Sequence, residues 1–336
     1  MSAILIMSIL GFALFAYALT GGADFGVGIL ESFSPEEEQP RLRSLGEKAI
    51  APIWEANHIW IILALVIVFV AYPEIHVLIT TSLHIPLLLL LSGIILRGTA
   101  FTFRYYDRSD DPATTQLWSV LFRSGSLIVP FFFGHLAAAL YRGRILSQPT
   151  TVWETYLAPW IGVFPLFTGI FTVVLFGWIA AIFLVGEVTG QEREHWLERA
   201  RRWTAAMVVS GALVTVAAWH EEVDLIQRVF TQPLALSAVL SATVSLALLW
   251  PQLLQNRMWL SRALVGSVVG SILMGYLGAR YPIAIQLADA PSITWTAALA
   301  PQPTLDALAL ILVLSSLVIF PALAWLYAVF KKPEPL

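Results

Sequence analysis

The chain opens on Met1–Ala23, MSAILIMSILGFALFAYALTGGA, a stretch of 23 residues without Asp, Glu, Lys or Arg. An α-helix rises 1.5 Å per residue, so about 20 apolar residues cross the ~30 Å hydrocarbon core of a bilayer. A secretory signal peptide would carry basic residues before its apolar part, and this stretch has none. We therefore predict a transmembrane helix at the start of the chain.

Eight further charge-free windows of 17 residues or more follow. They are continuously apolar, whereas the strands of a porin-like barrel alternate apolar and polar residues. The sequence thus predicts an all-α, polytopic integral membrane protein with about nine transmembrane helices in packed bundles. The eight windows are Ala56–Pro73, Ile75–Leu96, Ser124–Tyr141, Thr155–Gly186, Trp203–His220, Val229–Asn256, Ala263–Ala279 and Ala307–Phe330.

Composition excludes several classes of protein. Of the 336 residues, 58% are hydrophobic and 12% are charged, about half the charged fraction (roughly 25%) of a soluble domain. The net charge of −3 offers no basic field for nucleic acid, so no nucleic-acid partner is expected. The absence of cysteine excludes disulfides, iron–sulfur clusters, thiol catalysis and cysteine-bound zinc.

The basic residues fall mainly on one side of the nine predicted spans. When the spans alternate in direction, 15 of the 19 Lys and Arg residues lie on one side, and only Arg142, Arg144, Arg228 and Arg280 lie on the other. Loops rich in Lys and Arg stay in the cytoplasm. We therefore expect the N-terminus outside and the C-terminus in the cytoplasm.

We interpret residues 1–336 as a single transmembrane domain with three notable connecting segments. Residues 31–52 and 187–202 are charged and are expected at the cytoplasmic side. Residues 281–304 contain four prolines around Trp295, which favours an irregular, folded outer loop instead of a tenth helix.

Polar residues next to apolar spans are functional candidates, because a charge at mid-membrane costs roughly 2.5–3.5 kcal/mol on insertion scales. Asp24 follows Gly22 near the inner end of the first span, and Gly26 follows in turn. The two glycines indicate close helix packing. Asp24 is compatible with two roles, a solvated residue at a helix end or a proton carrier.

A second group begins the second span, where Glu55, Asn57 and His58 stand between Trp54 and Trp60. Tryptophans mark the membrane interface, so Glu55 could simply be hydrated. A partly buried carboxyl group is also what a proton relay needs, because desolvation moves its titration toward neutral pH. We favour the relay.

Arg97 and Arg104 flank the inner end of the third window. They could extend their side chains to the interface, or one could pair with Asp24 or Glu55.

Two E-x-x-H pairs, Glu55 with His58 and Glu192 with His195, are reminiscent of di-iron bundles. The second pair lies in a charged, solvated run, so no di-metal site is expected. The remaining histidines could ligate haem in pairs across a bundle, but isolated histidines in spans more often serve packing. These four are His76, His84, His135 and His220.

The motifs together resemble subunit II of the cytochrome bd-type ubiquinol or menaquinol oxidases. The resemblance is most specific before Arg104 and continues more weakly through most of the chain. The segments that carry it are Ala23–Gly28 (ADFGVG), Ala51–Trp60 (APIWEANHIW), Ala71–Pro73 (AYP) and Ile95–Arg104 (ILRGTAFTFR).

This resemblance implies a subunit of a quinol:oxygen oxidoreductase in a bacterial or archaeal cytoplasmic membrane. The partner would be a larger subunit I that carries haem b, haem d and the quinol site, and this chain would bind no haem. A small single-helix accessory subunit, bound membrane lipid and a structural quinone in this chain stay open.

The resemblance also implies a proton path from the cytoplasm, whose acidic residue corresponds to Glu55, with Asp24 as a companion. The chain departs from the family pattern at several positions. Glu55 replaces the usual Asp, Ala56 replaces Gly, and His58 replaces the common Gln or Glu. Thr102 stands where the family often has an acidic residue. His58 could substitute as a relay group, since the unperturbed imidazole titrates near pH ~6.5.

The competing hypothesis is a proton-coupled secondary transporter. Transporters usually interrupt helices near the bilayer midplane, whereas the acidic residues here lie near the predicted cytoplasmic ends of the spans.

Overall fold

The computed structural model describes residues 1–50, 54–106 and 112–330, with the backbone alone for residues 47–50, 54–56, 105, 112 and 326–330. The described chain is predominantly α-helical. Its helices are α1 (Ser2–Ser32), α2 (Gln39–Ile50), α3 (Trp54–Ala71), α4 (Pro73–Ser82), α5 (His84–Tyr106), α6 (Pro112–Tyr141), α7 (Val152–Tyr156), α8 (Val163–Val185), α9 (Gly190–His220), α10 (Leu225–Thr231), α11 (Pro233–Leu254), α12 (Met258–Arg280) and α13 (Gln302–Phe330). A short antiparallel ribbon of β1 (Ile283–Ile285) and β2 (Ile293–Thr294) precedes α13.

Within these ranges eight helices are long and apolar enough to cross a membrane, namely α1, α5, α6, α8, α9, α11, α12 and α13. A ninth span is available if α3 and α4 are taken together, although the chain bends by 115° between them. The bend lies at Tyr72, directly before Pro73, whose ring disfavours helical backbone in the preceding residue. The prediction of an all-α, polytopic membrane protein is confirmed.

The predicted boundaries of the third span were wrong. The window Ile75–Leu96 is divided between α4 and α5, and α5 continues through Arg97 and Arg104 to Tyr106. A charge-free window finds apolar residues but does not detect a helix break at Ser82, nor a charged residue that is buried by pairing. Two other windows likewise begin as short separate helices before α8 and α11.

Helix α1 lies in the middle of the bundle and packs against α3, α6 and α8. Two glycines permit its close approach to α8. A Cβ added at Gly22 would lie 2.6 Å from Ile179 Cδ1, and one added at Gly26 would overlap the carbonyl oxygen of Phe176. The helices therefore approach to backbone contact at this point, which fixes the height of Asp24 between the two glycines.

We expect Gly26→Ala to destabilise the protein by ~1–3 kcal/mol, because its methyl group must displace the backbone of α8. Gly11→Ala on the same helix is the matched control, since a Cβ there meets no atom within 4 Å. Thermal unfolding in detergent would measure both variants. Equal melting temperatures for the two variants would contradict the close packing of α1 on α8.

The segment between α12 and α13 is folded onto the corner between α3 and α4. Trp295 contacts Tyr72 edge to face with ring centroids 5.3 Å apart, and the Ala300 amide donates to the Ala71 carbonyl at 2.9 Å. Asp289 accepts hydrogen bonds from the backbone amide and hydroxyl of Ser147, and the backbone bond lowers the pKa of its carboxyl group. The predicted outer loop thus contains ordered structure that joins several spans.

At the opposite end of the bundle, α2 and its connection to α1 are fixed to the charged start of α9. Arg41 donates two hydrogen bonds of 2.8 Å to Glu192, and these bonds lower the pKa of the Glu192 carboxyl group. Arg199 pairs with Glu38 at 2.5 Å. Pairs exposed to this degree stabilise weakly, so their main consequence is a defined position of α2 beneath α1.

Candidate proton-transfer site

The centre of the site is an ion pair between α1 and α5. Arg97 donates from its guanidinium to Oδ1 of Asp24. Asp24 is 1% exposed and Arg97 is not exposed. Both charges are therefore withdrawn from solvent. Removing one partner of such a buried pair typically lowers the stability of the folded protein by about 3–5 kcal/mol.

Aromatic rings enclose the arginine. The centroids of the Phe25, Phe101 and Phe122 rings lie 5.3, 5.2 and 5.1 Å from the guanidinium carbon of Arg97. Ring faces attract cations within about 6 Å and at the same time exclude water. The rings thus hold the arginine in place and make a dry wall on one side of Asp24.

Helix α3 supplies the other side of the site. The Asn57 side chain is buried, lies beside Asp24 and donates to the Thr20 carbonyl of α1 at 3.4 Å. The His58 ring meets Phe25, the neighbour of Asp24 in the chain, edge to face with centroids 6.3 Å apart. Asn57 and His58 can therefore both influence the Asp24 carboxylate.

Glu55, the main predicted relay residue, lies in the first turn of α3, but its side chain is outside the described part of the chain, as is that of Trp54. Trp60, two residues beyond His58, packs on Phe12 of α1 with ring centroids 5.5 Å apart. Of the predicted residues, the structure brings together Asp24, Asn57, His58 and Arg97 from three helices.

Sequence reasoning missed a second buried ion pair. Arg104 bonds to both carboxylate oxygens of Glu31, at 3.1 and 2.9 Å, and Glu31 is 2% exposed. Arg104 also lies 4.0 Å above the Phe122 ring. The sequence predicts that Glu31 begins the charged cytoplasmic segment, but α1 continues to Ser32 and keeps Glu31 against α5.

The spacing of two acids on α1 and two arginines on α5 indicates this second ion pair. Asp24 and Glu31 are seven residues apart, as are Arg97 and Arg104. Seven residues make nearly two helical turns, so each pair of like charges lies on one side of its helix. Two acids on α1 therefore match two arginines on α5, and Arg97 and Arg104 are paired residues instead of end-of-helix side chains that reach toward water.

The surroundings of the histidines in the described part of the chain bear on metal binding. Within the described ranges, no group of three or more His, Cys, Asp or Glu side chains could hold a metal ion. His135 is buried among the rings of Phe131, Phe132 and Trp160. His195 of the second E-x-x-H pair lies 3.8 Å from Glu38. The donor set of the described residues thus does not fit a di-metal centre.

Comparison with known proteins identifies the family. The sequence profile of the cytochrome bd terminal oxidase subunit II matches residues 2–330. The chain belongs to this family. Cytochrome bd ubiquinol oxidase subunit 2 of Bacillus subtilis is 25% identical over 220 residues, which cover 65% of this chain and 64% of the relative. Cytochrome bd-I ubiquinol oxidase subunit 2 of Escherichia coli is 26% identical over 223 residues, or 63% of this chain and 55% of the relative.

The fold agrees with the family assignment. The structure of bd oxidase from Geobacillus thermodenitrificans contains a chain that superposes with a TM-score of 0.78 over 99% of both chains, at 16% identity. The sequence matches cover less than two thirds of the length of the two relatives. Membership of subunit II does not favour the transporter hypothesis.

Proposed function

We propose that this chain is the haem-free subunit II of a cytochrome bd-type quinol:oxygen oxidoreductase. It supports a haem-bearing subunit I and supplies part of the cytoplasmic proton path for the reduction of oxygen to water. The family match over residues 2–330 carries the proposal. The active site is completed by subunit I, where haem b and haem d supply electron transfer and oxygen reduction.

In this proposal some residues of the chain carry protons, and others hold these carriers in position. Oxygen reduction consumes protons, and Glu55 in the first turn of α3 is the group that accepts them at the inner face. His58, one turn further along α3, is a second titratable group on the way to Asp24. Arg97 fixes Asp24 by their ion pair, and Asn57 orients α3 against α1 by its bond to Thr20.

The outward face of α5 is a suitable contact for subunit I. Ser92, Thr99 and Thr102 are exposed on this helix, and small hydroxyl residues favour helix contacts within membranes over contact with lipid. The Thr102 hydroxyl donates to its own helix at the Gly98 carbonyl, at 3.0 Å. Thr102 is therefore a packing residue in this proposal, and His58 is the second titratable group of the path.

Among the described residues, a groove between α1 and α12 is a candidate position for a structural quinone. An apolar groove of about 960 Å³ runs between α1 and α12, from Arg262 at one end to Tyr281 and Trp295 at the other. Phe15 and Leu273 contribute to its walls. Its apolar lining suits an isoprenoid tail, so organic extraction of the purified complex should yield a quinone, and an extract without quinone would contradict this position.

Co-purification with absorption spectroscopy tests the proposed function. We expect the chain expressed alone to show no haem absorbance, and an affinity-tagged chain expressed with its neighbouring oxidase genes to retain a haem-bearing subunit I and quinol oxidase activity. A small single-helix accessory subunit should be sought in the same preparation. Stoichiometric haem in the isolated chain, or a colourless complex without oxidase activity, would contradict the assignment.

Reporter fusions test the proposed orientation. A reporter fused after Leu336 should be active in the cytoplasm, and one inserted between Ala288 and Ser292 should be active outside. This result follows from the concentration of 15 basic residues on one side of the spans. Two reporters on the same side would contradict the topology.

A further inference from the structure

A cleft opens between α9 and α11 near the charged end of α9. Its volume is about 560 Å³. The lining residues are Arg201, Thr204, Ala205, Val208, Val209 and Trp250, and we call them the α9/α11 cleft. The cleft is separate from the Asp24 site and from the groove between α1 and α12.

The cleft exists because the two helices pack against different neighbours. Over their described ranges, α9 packs on α8 and α11 packs on α12, with little contact between α9 and α11 themselves. The two helices are joined near one end by a hydrogen bond from Arg193 to the Leu253 carbonyl, and near the other end by α10. Between these joints Val208 and Val209 remain 53% and 58% exposed.

The length of α9 determines the level of the cleft relative to the membrane. This helix has 31 residues and is therefore about 46 Å long, well beyond the ~30 Å hydrocarbon core. Its first part, up to Arg202, carries all of its charged residues, and the apolar part begins at Trp203. Arg201 thus lies at the level of the lipid headgroups, and Val208 lies at the level of the acyl chains.

The charges at the mouth of the cleft favour an anion. The Arg201 side chain is 60% exposed and its distance to Glu198 is 3.8 Å, a weak pair that Glu198 shares with Arg202. Two arginines against one glutamate leave a positive charge beside the cleft. The Trp250 ring lies 5.8 Å from the Arg201 guanidinium and forms the wall facing it.

Thr204 lines the wall of the cleft, but its hydroxyl donates its hydrogen bond within α9 and not to a ligand. Its hydroxyl accepts from the Trp178 indole at 3.0 Å and donates to the Ala200 carbonyl at 2.7 Å. The headgroup contact of the cleft is therefore Arg201, and the deeper part is apolar.

We propose that the α9/α11 cleft binds one anionic phospholipid, with its phosphate at Arg201 and one acyl chain along Ala205 and Val208. Basic pockets between membrane helices at the cytoplasmic side are suited to anionic headgroups, and each Arg near the surface contributes ~1 kcal/mol. The acyl chain fills the space that α9 and α11 leave between them.

Native mass spectrometry of the delipidated complex tests the proposal. We expect phosphatidylglycerol to bind one site more tightly than phosphatidylcholine with the same acyl chains. Arg201→Gln should weaken this site about fivefold, the factor that corresponds to one lost basic contact. Val208→Trp should weaken it as well, because the indole occupies the acyl-chain position while the charge stays.

Arg257→Gln is the matched control. Arg257 is exposed between α11 and α12 and does not line the cleft. Its substitution removes the same charge elsewhere and should leave binding within about twofold of the wild type. Equal binding by wild type and Arg201→Gln would overturn the proposal, as would equal affinity for the two lipids. Loss of subunit I from either cleft variant would show that the cleft is a protein interface, and would also overturn it.

Discussion

Arg97→Met is expected to destabilise the folded protein by ~3–5 kcal/mol, because it leaves the Asp24 carboxylate buried without its counter-charge. Both side chains of the pair are buried. Three phenyl rings occupy the space that water would need to solvate the Asp24 carboxylate once it is unpaired. The variant should therefore yield little assembled complex. Thermal unfolding of the purified complex, together with its yield per cell, measures the effect.

The double variant Asp24→Asn with Arg97→Met should recover a large part of the lost stability, since both buried charges are then removed together. Arg123→Met is the matched control on a neighbouring helix. Arg123 donates a hydrogen bond of 2.7 Å to the uncharged amide of Gln39, so its loss leaves no buried charge behind. If Arg97→Met were as stable as Arg123→Met, the Asp24 pair would not be the structural centre of the site.

Glu55→Gln is expected to slow quinol oxidase turnover by ~10²-fold while the haem absorbance and the assembly of the complex stay normal. Glutamine keeps the size and hydrogen-bonding capacity of glutamate but cannot release a proton. Glu55→Asp restores the acid that the family usually has there and should keep much of the activity. Steady-state oxygen consumption with a soluble quinol measures both variants.

Glu74→Gln is the matched control for the loss of a carboxylate. Glu74 lies in the first turn of α4, at the end of α3 opposite to Glu55, and is exposed there. Its substitution should leave turnover near the wild-type rate. Normal turnover in a spectrally intact Glu55→Gln complex would mean that the carboxylate is not a necessary carrier. The additional change His58→Ala would then show whether His58 and Asp24 bypass it.

The sequence was sufficient to predict the class of fold because apolarity over about 20 residues is a strong signal. The sequence was insufficient to predict the ends of spans where a charged residue is buried by an ion pair. Window counting ended the third span at Leu96, because Arg97 is the first charged residue after the apolar run. The structure shows Arg97 inside α5, where Asp24 and the phenyl rings compensate its burial.

The candidate site was predicted in part. Asp24, Asn57, His58 and Arg97 were selected as polar residues beside apolar spans, and the structure places them together. Glu31 was missed because it follows the glycine-rich segment and precedes a charged loop, so single-residue reasoning placed it in water. Its partner Arg104 is 73 positions away, and only the equal spacing of charges on α1 and α5 indicates the pair.

We propose that this subunit delivers protons to the oxygen-reducing partner. Proton uptake during a single turnover tests this proposal, when the fully reduced complex is mixed with oxygen in the presence of a pH-sensitive dye. We predict that Glu55→Gln takes up protons at least tenfold more slowly than the wild type, while oxygen binding, which needs no proton, keeps its rate. Wild-type rates for both steps in Glu55→Gln would contradict a proton path through this residue.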